Sequence, residues 1–227
     1  MLPGHAWEQL NELKLYADAH ITDALPRRGR FEILTEIIHR CQQLTGLLAG
    51  TMTHDHGYDF IRIGRNLERA DMSTRIIDTA SARLMGEHEE ILPYRNVLWV
   101  GVLKSLSAYQ MYRLNVRRNV NPEDVLHFLL DSKIFPRALA HTLNEIDTSI
   151  GLLPRNREPL AAIAGVKHAL AKADPATLRN DKLHAFIDDL QLMLDGIHNA
   201  INHTWFDPGS CDDRLQYHCS QVVRAYG

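Results

Sequence analysis

Apolar residues recur at helical spacing along this chain, and the stretch from Thr51 to Leu84 organises the reading of the rest. At 100° per residue from Phe60, the residues Phe60, Ile63, Leu67, Ala70 and Ile77 gather on one flank of a long helix. Ile61, Met72 and Ile76 form a second apolar flank. Between them run Gly64, Glu68, Asp71, Arg75 and Asp78. Helices packed on both flanks would leave that charged strip lining a groove or an interface.

The same periodicity predicts a first helix over His5 to Ile21 with Trp7, Leu10, Leu13 and Ala17 in step. A second helix, Phe31 to Leu48, turns Leu34, Ile37, Ile38, Cys41, Leu44 and Leu48 toward a core, and Gly50 ends it. Asp55 or Thr53 is the expected N-cap of the charged helix. After a polar connection at Gly86 to Glu90, a fourth helix is expected from Tyr94 to Asn119, with Arg113 and Arg117 four apart beside its apolar face. Asn121-Pro122 is a restart signal, because Asn caps and Pro fits the first helical position, giving a short helix to Leu130. Pro136 is expected to open a helix to Ile150, and Pro159 another to Ala171. The last long helix, Asn180 to Trp205, has a seam of Leu183, Phe186, Ile187, Leu190, Leu194, Ile197, Ile201 and Trp205. No strand-type alternation interrupts this pattern, so the expected fold is all-α, a bundle of about seven or eight helices. One domain is expected over residues 1–206, followed by a tail or short extra helix over 207–227.

Composition narrows the function classes. The 227 residues suffice for a domain that buries roughly three quarters of its unfolded surface. With 25 basic and 28 acidic residues, a net charge of −3 and only short basic clusters, nucleic acid is not an expected partner. The apolar run Val97 to Leu103 is stopped by Lys104, so no membrane span is expected; the N-terminus lacks the regions of a secretory signal, and a cytoplasmic location follows. Cys41, Cys211 and Cys219 are odd in number and without Cys-x-x-Cys spacing, which implies free thiols, Cys41 being expected in the core.

Four constellations carry candidate chemistry. Gly64, Arg65, Glu68, Arg69, Asp71 and Arg75 form either an internal ion-pair network or a groove for a charged ligand or partner. Gly64 inside a helix leaves room for close approach by another helix or a ligand. Arg113, Arg117 and Arg137 are candidates to converge on an anion near the free amides of the Pro136 helix start, or to be ordinary surface arginines. His54, Asp55 and His56 admit a metal-dependent hydrolase reading, although such a site needs further ligands that spacing does not nominate. His184, Asp188, Gln191, Asp195 and His198 make a polar seam on the last helix, either a solvated face or a source of two metal ligands.

Residues Ile63-Gly64-Arg65-Asn66-Leu67-Glu68-Arg69-Ala70-Asp71 resemble the signature of the bacterial alpha-E domain family. Ser107-Ala108-Tyr109 with Tyr112-Arg113, Val125 to Asp131, Phe135-Pro136-Arg137, Phe186 to Gln191, and Ile197-His198 follow in the family's order. The resemblance spans Trp7 to Phe206 and makes this chain similar to the C-terminal half to two thirds of the family pattern, without the earlier Glu-Arg element. Two departures accompany it. His54-Asp55-His56-Gly57-Tyr58 stands where the family tends to Arg-Asp-Glu-Gly-Trp, and the segment beyond Phe206 has no family counterpart. The resemblance implies an accessory role beside an ATP-grasp ligase that forms amide or peptide bonds, with Tyr112, Arg113, Arg117, Arg137 and His198 as partner-facing residues. The chain itself has no Gly-rich phosphate loop, so no nucleotide cofactor of its own is expected. A homo-oligomer is a further expectation, because half a pattern can bury its missing interface by self-association.

Overall fold

A computed structural model describes residues 2–22, 27–84, 95–178 and 181–207. Among these residues it holds nine α-helices, no strand, and a closing π-helical turn. The count exceeds the expected seven or eight because the predicted Tyr94–Asn119 helix is two helices. The chain divides into two compact units, Met1–Tyr58 and Asp59–Gly227.

The first unit is a helical hairpin of α1 (Gly4–His20) and α2 (Arg27–Thr51), followed by the first residues of α3 (His56–Leu84). The Arg40 guanidinium lies 4.6 Å over the Tyr16 ring and joins α2 to α1. Two helices bury little by themselves. Ala6, Ile33, Met52 and Tyr58 are buried, but Trp7, Leu34 and Ile38 are exposed, and so is Cys41, contrary to the expected core stripe. Helix α2 also runs through Gly50 to Thr51. Asp55 is the expected N-cap of α3, its carboxylate accepting from the Tyr58 amide at 3.2 Å.

The second unit contains the remainder of α3 and α4 (Arg95–Ser105), α5 (Tyr109–Val116), α6 (Pro122–Asp131), α7 (Leu139–Gly151), α8 (Arg157–Lys172) and α9 (Asp181–Ile201). Its core joins Ile63, Ala70 and Ile77 of α3 with Trp99, Leu103, Tyr112, Leu126, Leu129, Leu143, Ile146, Ile163 and the α9 seam. Of the expected α9 seam, Leu183, Ile187, Leu190, Leu194, Ile197 and Ile201 are buried, while Phe186 is partly buried and Trp205 is partly buried in the turn beyond the helix. At its end the π-helical turn Asn202–Phe206 is pinned by the Trp205 indole, which donates to Pro154 O at 2.9 Å. Phe60 meets Trp205 and Phe206 edge-on at 5.4 and 5.3 Å.

Three helix starts differ from expectation, α2 beginning at Arg27, four residues before Phe31. Ser107 adopts a left-handed conformation (φ 52°) and separates α4 from α5, with the Ala108 amide returning to Leu103 O at 2.7 Å. Pro136 does not open α7. The chain first makes a turn in which Ser132 Oγ accepts from the Phe135 amide and the Ala138 amide donates to Phe135 O, and the helix begins at Leu139. The Asn121 cap holds as expected, its side chain accepting from the Asp124 amide at 2.9 Å.

Candidate functional site

Helix α3 positions the candidate site, and its buried face is wider than its apolar residues alone suggest. Asn66, Ser73, Thr74 and Ser81 are buried beside Ile63, Ala70 and Ile77. Each short polar side chain finds a backbone acceptor: Asn66 donates to Arg62 O, Thr74 to Asp71 O, Ser81 to Asp78 O, and Ser73 to Arg137 O across the fold at 3.0 Å. This leaves Arg65, Glu68, Asp71, Arg75 and Asp78 outside the core, although Asp59 in the first turn of the helix is buried.

Those charged residues then separate into two faces. On one, Arg62 and Arg69 reach α7 and the α6–α7 turn, with Arg65 near Arg69. Arg62 donates to Glu145 at 2.7 Å, and the Arg69 guanidinium donates to Asn66 Oδ1 at 3.2 Å and to Pro136 O at 3.4 Å. Burial lowers the Arg69 pKa, and the neighbouring charges of Arg65 and Arg137 lower it further, with Glu145 acting in the opposite direction. Arg65 keeps a buried Nε–H with no acceptor.

The second face meets α9. Asp71 and Arg75, paired at 2.7 Å, line a cavity of about 300 Å³ with Asp188, Gln191, Leu192 and Asp195. One turn further along α3, Asp78 Oδ1 lies 2.6 Å from His184 Nδ1, while His184 Nε2 lies 3.4 Å from Asp188. The hydrogen bond to Asp78 raises the His184 pKa, burial opposes the rise, and the charges of Asp78, Asp188 and Asp181 add to it. The α3 strip and the α9 polar seam, expected separately, therefore form one groove.

Glu68, the glutamate of the Glu-Arg pair, stands between the two faces. It is exposed and makes no hydrogen bond or ion pair with a described residue. Gly64 is also exposed, and a Cβ added there would meet nothing within 4 Å, so no neighbouring helix explains its small size. Met72, placed on a second apolar flank by its spacing, is 43% exposed.

The remaining expected site residues are dispersed. Tyr112 is fully buried against Phe128, which removes it from any binding surface. Arg117 has a left-handed backbone (φ 55°) at the end of α5, and its Nε donates to Leu114 O at 3.3 Å, so it closes the helix and is not in helical i, i+4 register with Arg113. Arg113 and His198 are exposed. The structure brings Arg137 beside α3, through the Ser73 bond to its carbonyl, where it joins Arg65 and Arg69.

His54 and Asp55 are engaged locally: His54 stacks on Tyr58 at 4.0 Å and bonds Ala49 O, and Asp55 caps α3. His56 is the first residue of that helix and is exposed. Among the described residues, the group of carboxylate and imidazole ligand atoms lying within 4.8 Å of one another is Asp78, His184 and Asp188. Both ring nitrogens of His184 face carboxylates there, as an imidazolium clamp requires. Ser81 donates to Asp78 and not to the imidazole, so the trio lacks the nucleophile-to-base order of a hydrolytic triad. Cys211 and Cys219 lie outside the described residues.

A family model named Alpha-E, described as a predicted alpha-helical domain with a conserved ER motif, matches residues 1–206. No curated protein and no solved structure matches the chain significantly.

Proposed function

Because the chain belongs to the Alpha-E family, we propose that it is a non-catalytic helical accessory domain that binds a partner protein of the ATP-grasp carboxylate–amine ligase type. The observation that carries this reading is the state of the Glu-Arg pair. An internal network would bond Glu68 within the fold, yet Glu68 is exposed, makes no hydrogen bond or ion-pair contact with a described residue and acts on Arg75 only through its charge, while Arg69 is anchored to the α6–α7 turn. A residue so placed contributes little to folding and is open to a partner. In the groove, by contrast, Asp71 pairs with Arg75, and Asp78 and Asp188 with His184, which leaves Asp195 as its acid without an ion-pair contact among the described residues. The partner is the ATP-grasp protein encoded nearest to this chain, and the two are expected to co-sediment as a complex that the charge reversal Glu68→Lys disrupts without lowering the melting temperature.

A second reading, self-association, is favoured by one observation in the Met1–Tyr58 unit. Phe31, Leu34 and Ile38 stand three and four apart on α2 and are left uncovered by α1, Phe31 being 79% exposed. A second copy laid on that stripe would bury it. Sedimentation of the chain alone across a concentration series separates this reading from the first: a mass that stays at one chain excludes it, and a mass that doubles supports it.

A further inference from the structure

We propose that Arg65, Arg69 and Arg137 form a binding site for a phosphate-type oxyanion. Residues Arg65 and Arg69 are one helical turn apart on α3, two contacts to backbone carbonyls, Arg69 to Pro136 O at 3.4 Å and Ser73 to Arg137 O at 3.0 Å, hold the Arg137 backbone beside α3, and the charges of Arg65 and Arg137 both act on Arg69. None of the three guanidinium groups is in ion-pair contact with a described carboxylate. The nearby acid, Glu145, is held by Arg62 at 2.7 Å. Arg69 hydrogen-bonds only neutral oxygens, of Asn66 and Pro136, and Arg137 is exposed.

Like charges repel, so a gathering of three is retained at a cost unless an anion offsets it. The chain as a whole is acidic, with a net charge of −3, so this concentration of positive charge is local. The buried Nε–H of Arg65 also has no hydrogen-bond partner among the described residues, a state it shares with Gln9 Oε1, Trp99 Nε1 and Ser149 Oγ. Guanidinium groups present planar forks that match the oxygens of a phosphate, and three of them suit a dianion with three free oxygens better than a single carboxylate. Burial lowers the Arg69 pKa most, the charges of Arg65 and Arg137 lower it further, and Glu145 offsets part of the fall.

The test titrates the full chain with inorganic phosphate at constant ionic strength, following the arginine Nε–H resonances by NMR, beside parallel titrations with phenyl phosphate and acetate. Saturable shifts at Arg65 and Arg69 are expected, with binding weakened at least tenfold in Arg65→Gln and in Arg137→Gln, whose exposed side chain the fold does not use, and weaker binding of acetate. Tighter binding of phenyl phosphate assigns the site to phosphate esters, and equal binding assigns it to free phosphate. Absence of saturable shifts in folded wild-type chain, or unchanged binding in a folded Arg137→Gln, overturns the proposal.

Discussion

The Nδ1 of His184 lies 2.6 Å from Oδ1 of Asp78, joining α9 to α3 across 106 positions of sequence at the point where the polar faces of the two helices meet. The contact is charge-assisted when the imidazole is protonated, and Asp78, Asp188 and Asp181 hold the His184 pKa above its ordinary value. A group whose pKa is raised by folding stabilises the fold fully below its unfolded pKa of about 6.5 and loses that contribution as pH rises through the folded value. The difference in melting temperature between wild type and His184→Gln is therefore expected to be largest near pH 6 and to shrink as the solution becomes alkaline. A difference that grows with pH would contradict the clamp.

Gly64 occupies a helix interior with open space around it. Glycine there costs about 1 kcal/mol relative to alanine, so Gly64→Ala is expected to stabilise the chain by roughly 0.5–1 kcal/mol and raise the melting temperature by about 2–4 °C per kcal/mol. If the bare helix surface serves a partner's close approach, the same variant binds that partner less well. Thermal melts and binding measured together read both effects.

Ser73 holds the α6–α7 turn to α3 through the carbonyl of Arg137. Its hydroxyl is buried, and Ser73→Ala is expected to cost about 1 kcal/mol by chemical denaturation while leaving the helices intact by circular dichroism. Loss of more than about 3 kcal/mol would mean that the bond does more than position the turn.

Tyr112 is fully buried, meets Phe128 edge-on at 5.7 Å and donates to Asn119 O at 3.4 Å. Tyr112→Phe keeps the ring and removes a long hydrogen bond, so a loss of about 0.5–1.5 kcal/mol is expected, against about 3–5 kcal/mol for Tyr112→Ala. Burial raises the phenol pKa first, with the Asp124 charge adding to it. A core role of this kind leaves partner affinity unchanged in a folded Tyr112→Phe.

How much of this was legible in the sequence depends on how local the cause is. The α9 seam and the Asn121-Pro122 start follow from periodicity and capping within a few residues; the start stands as read, and so does the seam apart from the partly buried Phe186 and Trp205. The break at Ser107 carries neither glycine nor proline, so only the left-handed backbone of an ordinary residue marks it. Pro136 misleads because a proline that fits a helix start also fits the turn before one. Cys41, Leu34 and Ile38 have helical spacing, but within their unit α1 covers only one side of α2 and leaves them exposed. At the site, spacing located the Asp71–Arg75 strip and the His184–Asp195 seam but not their meeting, which is a long-range fact. The buried Asn66, Ser73, Thr74 and Ser81 were missed for a related reason: hydropathy counts them as polar, and only their backbone acceptors show that they fit inside.

The central claim, that the Glu-Arg helix is a working interface, is tested most directly by measuring the affinity of the neighbouring ATP-grasp protein for wild type, Glu68→Gln and Glu145→Gln. Glu145 is the control, an acid of the same unit already engaged by Arg62 at 2.7 Å. The account predicts that Glu68→Gln melts like wild type and binds at least tenfold more weakly, while Glu145→Gln changes stability by about 1 kcal/mol or less and keeps its affinity. Wild-type affinity in Glu68→Gln, or no complex with well-folded wild type, would contradict it.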